Sequence, residues 1–131
     1  MGPKDAKILI IDDEAEVRDS ITLLFKSQSF KNTQAAKDAK TGLEKMQQED
    51  FDLVIVDLMM PVVSGHHVLK EMKRLKTKTG VIVYSAIGLP EVFGQDLSKS
   101  YKGLVFLSKT VTPSVLVEHV KDALHKPAYT L

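Results

Sequence analysis

The sequence predicts an α/β protein built on an open, doubly wound parallel sheet of five strands with helices on both faces. Three observations carry that expectation. Short runs rich in Val, Ile and Leu on consecutive positions recur along the chain, amphipathic helical patterns lie between them, and strand and helix alternate about five times. A strand covered on both faces reads as a continuous apolar run rather than an alternating one. Right-handed crossovers then carry the intervening helices onto the two faces of one sheet.

Taken in order, Lys7–Ile11 (KILII) is the first such run, and Val17, Ile21, Leu24 and Phe25 place one apolar stripe on the helix after it. Phe30–Ala36 is a less apolar strand, expected at a sheet edge. Asp38 is placed to cap a second helix whose inner face carries Leu43 and Met46. Phe51–Asp57 (FDLVIVD) is the third strand, and Val68, Leu69, Met72 and Leu75 form the inner stripe of the third helix. Gly80–Tyr84 (GVIVY) and Gly103–Leu107 (GLVFL) are the last two strands. Between them, residues 87–100 are interrupted by Gly88, Pro90 and Gly94, so the helix expected there is short or distorted. Leu116, Val120 and Leu124 mark the C-terminal helix. With no repeat, low-complexity tract or linker, the whole of 1–131 is expected to be a single domain.

Bulk properties narrow the function. At 131 residues and 44% hydrophobic content the chain suits one domain with a real core. Eighteen Lys and Arg stand against 17 Asp and Glu, so no charge surplus argues for nucleic acid or membrane as a partner. The absence of cysteine removes disulfides, thiolate metal sites and thiol nucleophiles. No apolar stretch approaches the roughly 20 residues that span a bilayer, and Met1-Gly2-Pro3-Lys4-Asp5 lacks the apolar centre of a secretion signal. The expected compartment is the cytoplasm.

In an open parallel sheet, ligands bind outside the carboxyl ends of the strands, where strand order reverses. The first strand runs without a spacer into Asp12, Asp13 and Glu14, the third ends at Asp57, the fourth runs into Ser85, and the fifth into Ser108 and Lys109. Each alone reads blandly, as a helix cap or a solvated lysine. Their convergence on one sheet edge points to a site. Adjacent carboxylates repel by about 3 kcal/mol at a separation of about 5 Å and an effective dielectric near 20. A hard oxygen site of this kind suits Mg²⁺, which offsets the repulsion. Asp57 stands apart on the central strand, and a carboxylate can accept a phosphoryl group as an acyl phosphate. Lys109 and Mg²⁺ would neutralise phosphoryl oxygens there, and Ser85 would donate a hydrogen bond.

The acidic pair in IIDDE, the segment VIVDLMMPVVSG with Asp57, Pro61 and Gly65, the YSA segment with Ser85 and the Lys of LSK together resemble the receiver domains of two-component response regulators, of the chemotaxis-regulator type. The resemblance spans about residues 6–126. It implies a flavodoxin-like sheet of order 2-1-3-4-5. It implies that Asp57 is the phosphoacceptor, and that Asp12, Asp13, Asp57 and the backbone carbonyl of Met59 hold Mg²⁺, Asp13 directly and Asp12 largely through water. Lys109 is then the phosphate-binding lysine, Ser85 the switch hydroxyl and Phe106 the switch aromatic. The implied partner is a sensor histidine kinase or histidine phosphotransfer protein. The implied output is a downstream protein target or an output domain, which this sequence does not carry. Such a protein is a signalling phosphoacceptor rather than an enzyme, catalysing at most its own phosphorylation and dephosphorylation. Phosphorylation is expected to draw the Ser85 and Lys109 loops inward and to let Phe106 turn into the space vacated, changing the face formed with the C-terminal helix.

Two rival functions remain at this level. One is a receiver-like interaction module that works without phosphate, against which the full set of Asp12, Asp13, Asp57, Ser85 and Lys109 argues. The other is a Mg²⁺-dependent aspartyl-phosphate phosphatase, which needs a second acid two residues beyond its nucleophile, where this chain has Met59. Elsewhere the plain readings hold. His66 and His67 diverge by about 100° on a helix and are expected at the surface. Lys70, Lys73, Arg74, Lys76 and Lys78 form a solvated face, and Met59, Met60 and Met72 pack. Thr110 follows Lys109 where many receivers have proline, so that peptide bond is expected to be trans.

Overall fold

The computed structural model describes residues 3–60, 65–75, 77–86 and 104–125. After a single turn of 3₁₀-helix at Pro3–Asp5, the elements run β1 (Lys7–Ile11), α1 (Ala15–Ser27), β2 (Asn32–Ala36), α2 (Ala39–Gln48), β3 (Leu53–Val56), α3 (Gly65–Arg74), β4 (Gly80–Ser85), β5 (Val105–Ser108) and α4 (Pro113–His125). The strands form one parallel sheet of order β2-β1-β3-β4-β5, as expected. The short or distorted helix expected within 87–100 lies outside the described residues. No described helix is long and apolar enough to cross a membrane.

The continuous apolar runs feed two cores, because successive side chains of a strand point to opposite faces. Leu9, Ile11, Val54, Val56, Val81 and Val83 pack on one face with Ala39 of α2 and Val68, Leu69 and Met72 of α3. Ile8, Ile10, Leu53, Ile55, Ile82 and Leu107 pack on the other with Ile21 and Phe25 of α1 and Leu116 and Val120 of α4. Strand β2 is the edge that its weak apolar content announced, with only Ala36 fully buried.

The join from α1 to β2 shows how the chain enforces this geometry. The Phe30 N–H donates to the Phe25 carbonyl at 3.0 Å and the Ser29 N–H to the Lys26 carbonyl at 3.0 Å, the two bonds of a Schellman ending. Ser29 takes the left-handed conformation this ending needs, with φ 66°. Phe30 then stacks edge to face on Phe25, centroids 5.6 Å apart, so it anchors the turn and the strand starts only at Asn32. Two expectations need correction. Leu75 is 53% exposed, because α3 ends at Arg74 and the last apolar position turns off the stripe. Met59 is 46% exposed at the mouth of the sheet edge, whereas Met60 and Met72 are buried as expected. His66, His67, Lys70, Lys73, Arg74 and Lys78 are exposed, and Arg74 pairs with Glu71 at 2.9 Å on that solvated face.

At the start of α2, Asp38 accepts the Thr41 N–H at 2.7 Å. The Thr41 N–H and hydroxyl hold the Asp38 carboxyl below the usual carboxylate range. A folded-state pKa below the unfolded value near 4 gives stability that is present above that pH and lost as pH falls through the folded value. Replacing Asp38 with Ala is therefore expected to cost about 1 kcal/mol at neutral pH. In urea titrations the gap between variant and wild type should narrow toward pH 2; a gap independent of pH would show that the carboxylate charge contributes nothing to the cap.

Candidate functional site

Hydrogen bonds that continue the sheet past its strands fix the backbone beneath the site. The Asp12 N–H donates to Ala36 O at 3.1 Å, the Asp57 N–H to Ile11 O at 3.0 Å and the Lys109 N–H to Ser85 O at 2.9 Å. These residues stand one step beyond β1, β3 and β5. Gly65 contributes close behind: a Cβ there would overlap the Asp57 carbonyl and crowd the Leu58 Cα, so only glycine lets α3 start against the peptide that carries Asp57.

The side chains converge as the sequence placed them. Asp57 is buried, and its Oδ1 accepts the Ser85 hydroxyl at 2.9 Å and the Met59 N–H at 2.9 Å. Its Oδ2 lies 3.0 Å from the Lys109 Nζ. Asp12, also buried, accepts the Glu14 N–H on Oδ1 at 2.9 Å and pairs through Oδ2 with Lys109 at 2.9 Å. Lys109 Nζ makes a third ion pair, with Glu14 Oε1 at 3.1 Å. Arg18 donates to the Asp12 carbonyl at 2.6 Å and so holds the turn that carries the acidic run. Asp13 is exposed beside it. Phe106, partly buried, packs against the core that α2 and α3 cover.

The electrostatics follow from burial. Loss of solvent pushes the Asp12 carboxyl above its usual range, against the Glu14 N–H and Lys109, which favour the charged form. Burial alone would lower the Lys109 ammonium, but hydrogen bonds to Asp12, Asp57 and Glu14 outweigh it and raise it well above the usual lysine range. Lys109 is thus the internal counter-ion of the two buried carboxylates. A lysine 97 residues beyond Asp12 therefore offsets part of the repulsion among the acids, ahead of any divalent cation. Ser85 and Lys109 both contact the Asp57 carboxylate directly. The Lys109–Thr110 bond is trans, since no described peptide bond is cis.

One oxygen each of Asp12, Asp13, Glu14 and Asp57 lie within 4.8 Å of one another. Four carboxylates against one ammonium leave negative charge uncompensated, and the donors are hard oxygens on rigid strand ends. Such a set fits a divalent cation that prefers one or two carboxylates and keeps its water, as Mg²⁺ does. Glu14 is the member the sequence reading left without a role. Its signal was visible as a third consecutive acid after β1, but nothing local says that it faces Lys109.

A family model described as the response regulator receiver domain matches residues 8–121. Among curated relatives, the cell cycle response regulator CtrA of Brucella ovis is 31% identical over 81 residues, 62% of this chain and 34% of that protein. The chain thus spans about a third of the length of the curated relatives it matches. A CheY-like response regulator receiver domain protein from Methanospirillum hungatei superposes with a TM-score of 0.81 at 25% identity, covering 92% of this chain and 94% of that one. A response regulator receiver domain protein from Clostridium thermocellum gives 0.78 at 28% identity, covering 91% and 94%.

Proposed function

The chain belongs to the response regulator receiver domain family, and from that membership we propose that Asp57 accepts a phosphoryl group from a phosphohistidine on a sensor kinase or histidine phosphotransfer protein. The observation that carries this reading is the Asp57 carboxylate itself: buried at the end of the central strand, with a hydroxyl on one oxygen and an ammonium on the other. One carboxylate oxygen attacks phosphorus. The new O–P bond forms as the P–N bond breaks, and the imidazole leaves with that electron pair and a proton from solvent. Lys109 and Ser85 steady the oxygens of the transferring group, a task of positioning and charge neutralisation rather than covalent chemistry. Asp12, Asp13, Asp57 and the Met59 carbonyl would hold Mg²⁺, which supplies further neutralisation of those oxygens. Arg18 keeps the acidic turn in register through the Asp12 carbonyl.

A phosphoryl group on Asp57 takes over the partners of its carboxylate, and the Ser85 hydroxyl follows it. Phe106, two residues before Ser108, is the aromatic that reads this change and passes it to the surface of β5 and α4. The downstream reader is a protein surface or an output domain. Incubation with a small acyl phosphodonor tests the reading. Mg²⁺ should allow a hydroxylamine-labile label to form within minutes, and excess chelator should slow it at least tenfold. Equal rates with Mg²⁺ and with chelator would overturn the metal requirement, and absence of label under every condition would overturn the phosphoacceptor role.

A further inference from the structure

Lys109 has an exhausted set of donors. An ammonium carries three N–H groups, and Lys109 Nζ faces three carboxylate oxygens, Asp12 Oδ2 at 2.9 Å, Asp57 Oδ2 at 3.0 Å and Glu14 Oε1 at 3.1 Å. The contact with Asp57 Oδ2 passes to the phosphoryl group that Asp57 accepts, and a second phosphoryl oxygen can therefore reach this ammonium only if Asp12 or Glu14 leaves. The three are not equivalent. Asp12 and Asp57 are buried and sit on backbone fixed by the sheet ladder, whereas the Glu14 side chain is 58% exposed. Water takes over Glu14 at little cost; it cannot reach the other two as readily.

A second observation shows that Glu14 is free to perform this task. It occupies the N-cap position of α1, yet its side chain makes no capping hydrogen bond, and the turn is held instead by Asp12 Oδ1 on the Glu14 N–H and by Arg18. Its carboxylate is spent on Lys109 and not on the helix.

We propose that Glu14 is a displaceable placeholder on Lys109, occupying the third ammonium hydrogen until a phosphoryl oxygen replaces it and the carboxylate swings into solvent. This rests on the phosphoacceptor reading above and deepens it. Glu14 is a positioning residue, acting through Lys109, and it sets two affinities in opposite directions. As one of four clustered carboxylates it favours the divalent cation. As a competitor for the ammonium it opposes the anion.

Calorimetric titration of Mg²⁺, followed by beryllofluoride at saturating Mg²⁺, separates the two on the wild-type chain, Glu14→Gln and Glu14→Ala. Mg²⁺ affinity is expected to fall about two- to fivefold, the range of an exposed ion pair, and beryllofluoride affinity to rise by a similar factor. The rise should be at least as large for Ala, which removes the competing oxygen altogether. A merely structural role at the start of α1 would lower the melting temperature and weaken both ligands together. Parallel losses, or an anion affinity unchanged in both variants, would overturn the placeholder. A wild-type chain that binds no beryllofluoride would instead overturn the phosphoacceptor reading.

Discussion

Asp57→Asn is expected to abolish labelling by a phosphodonor while leaving the protein folded. The amide keeps one carbonyl oxygen, which can accept from the Ser85 hydroxyl and the Met59 N–H as Oδ1 does now. What it loses is the nucleophilic oxygen and the charge that pairs with Lys109. Lys109 retains Asp12 and Glu14, and removing the Asp57 charge relieves the repulsion that helps raise the Asp12 carboxyl. These effects oppose one another, so the stability change is expected to stay within about 2 kcal/mol, the scale of one charge-assisted hydrogen bond. Loss of label with a native circular dichroism spectrum and a melting temperature within a few degrees meets the expectation. Undiminished label would assign the phosphoryl group to another side chain, and the exposed acids Asp13 and Glu14 would be the first to test.

Much of this arrangement is legible in the sequence because a parallel sheet writes its strands as apolar runs and leaves its chemistry where they stop. KILII and FDLVIVD end in Asp12 and Asp57 for that reason, and the weak run before Ala36 announces the edge. Strand limits shift by one or two residues where side chains serve another purpose, as Phe30 does in closing the end of α1. Leu75 was misplaced because a helical period says nothing about where the helix stops. Met59 reads as a packing residue by type, yet the turn after β3 uses its N–H on Asp57 and leaves its thioether at the surface. The largest omission is the Lys109 bridge. Spacing shows that a lysine ends near the acids; it does not show that one ammonium meets three carboxylates.

That bridge leads to the second large effect, Lys109→Ala. Asp12 and Asp57 are buried and share one cation; without it, two carboxylates face each other with the Glu14 and Met59 N–H groups and the Ser85 hydroxyl as their donors among the described residues. Breaking a buried ion pair by removing one partner costs about 3–5 kcal/mol. The lower end applies here, since the Lys109 side chain is 12% exposed and solvent enters the space it leaves. The variant is therefore expected to lose about 3 kcal/mol without divalent cation. Mg²⁺ should reverse much of that loss. A site of four carboxylates with no ammonium is more negative than the wild-type site, so the variant should bind the ion more tightly and gain more stability from it by mass action. Phosphorylation should still fall, because the ion cannot replace the ammonium on the oxygen that Lys109 serves. Urea titrations of both proteins, with chelator and with 10 mM-scale Mg²⁺, read out the contrast: the stability gap should shrink as Mg²⁺ is added while the labelling rate stays depressed. A gap of the same size with and without Mg²⁺ would mean that Lys109 stabilises the fold by packing its methylenes and not by holding the two carboxylates together.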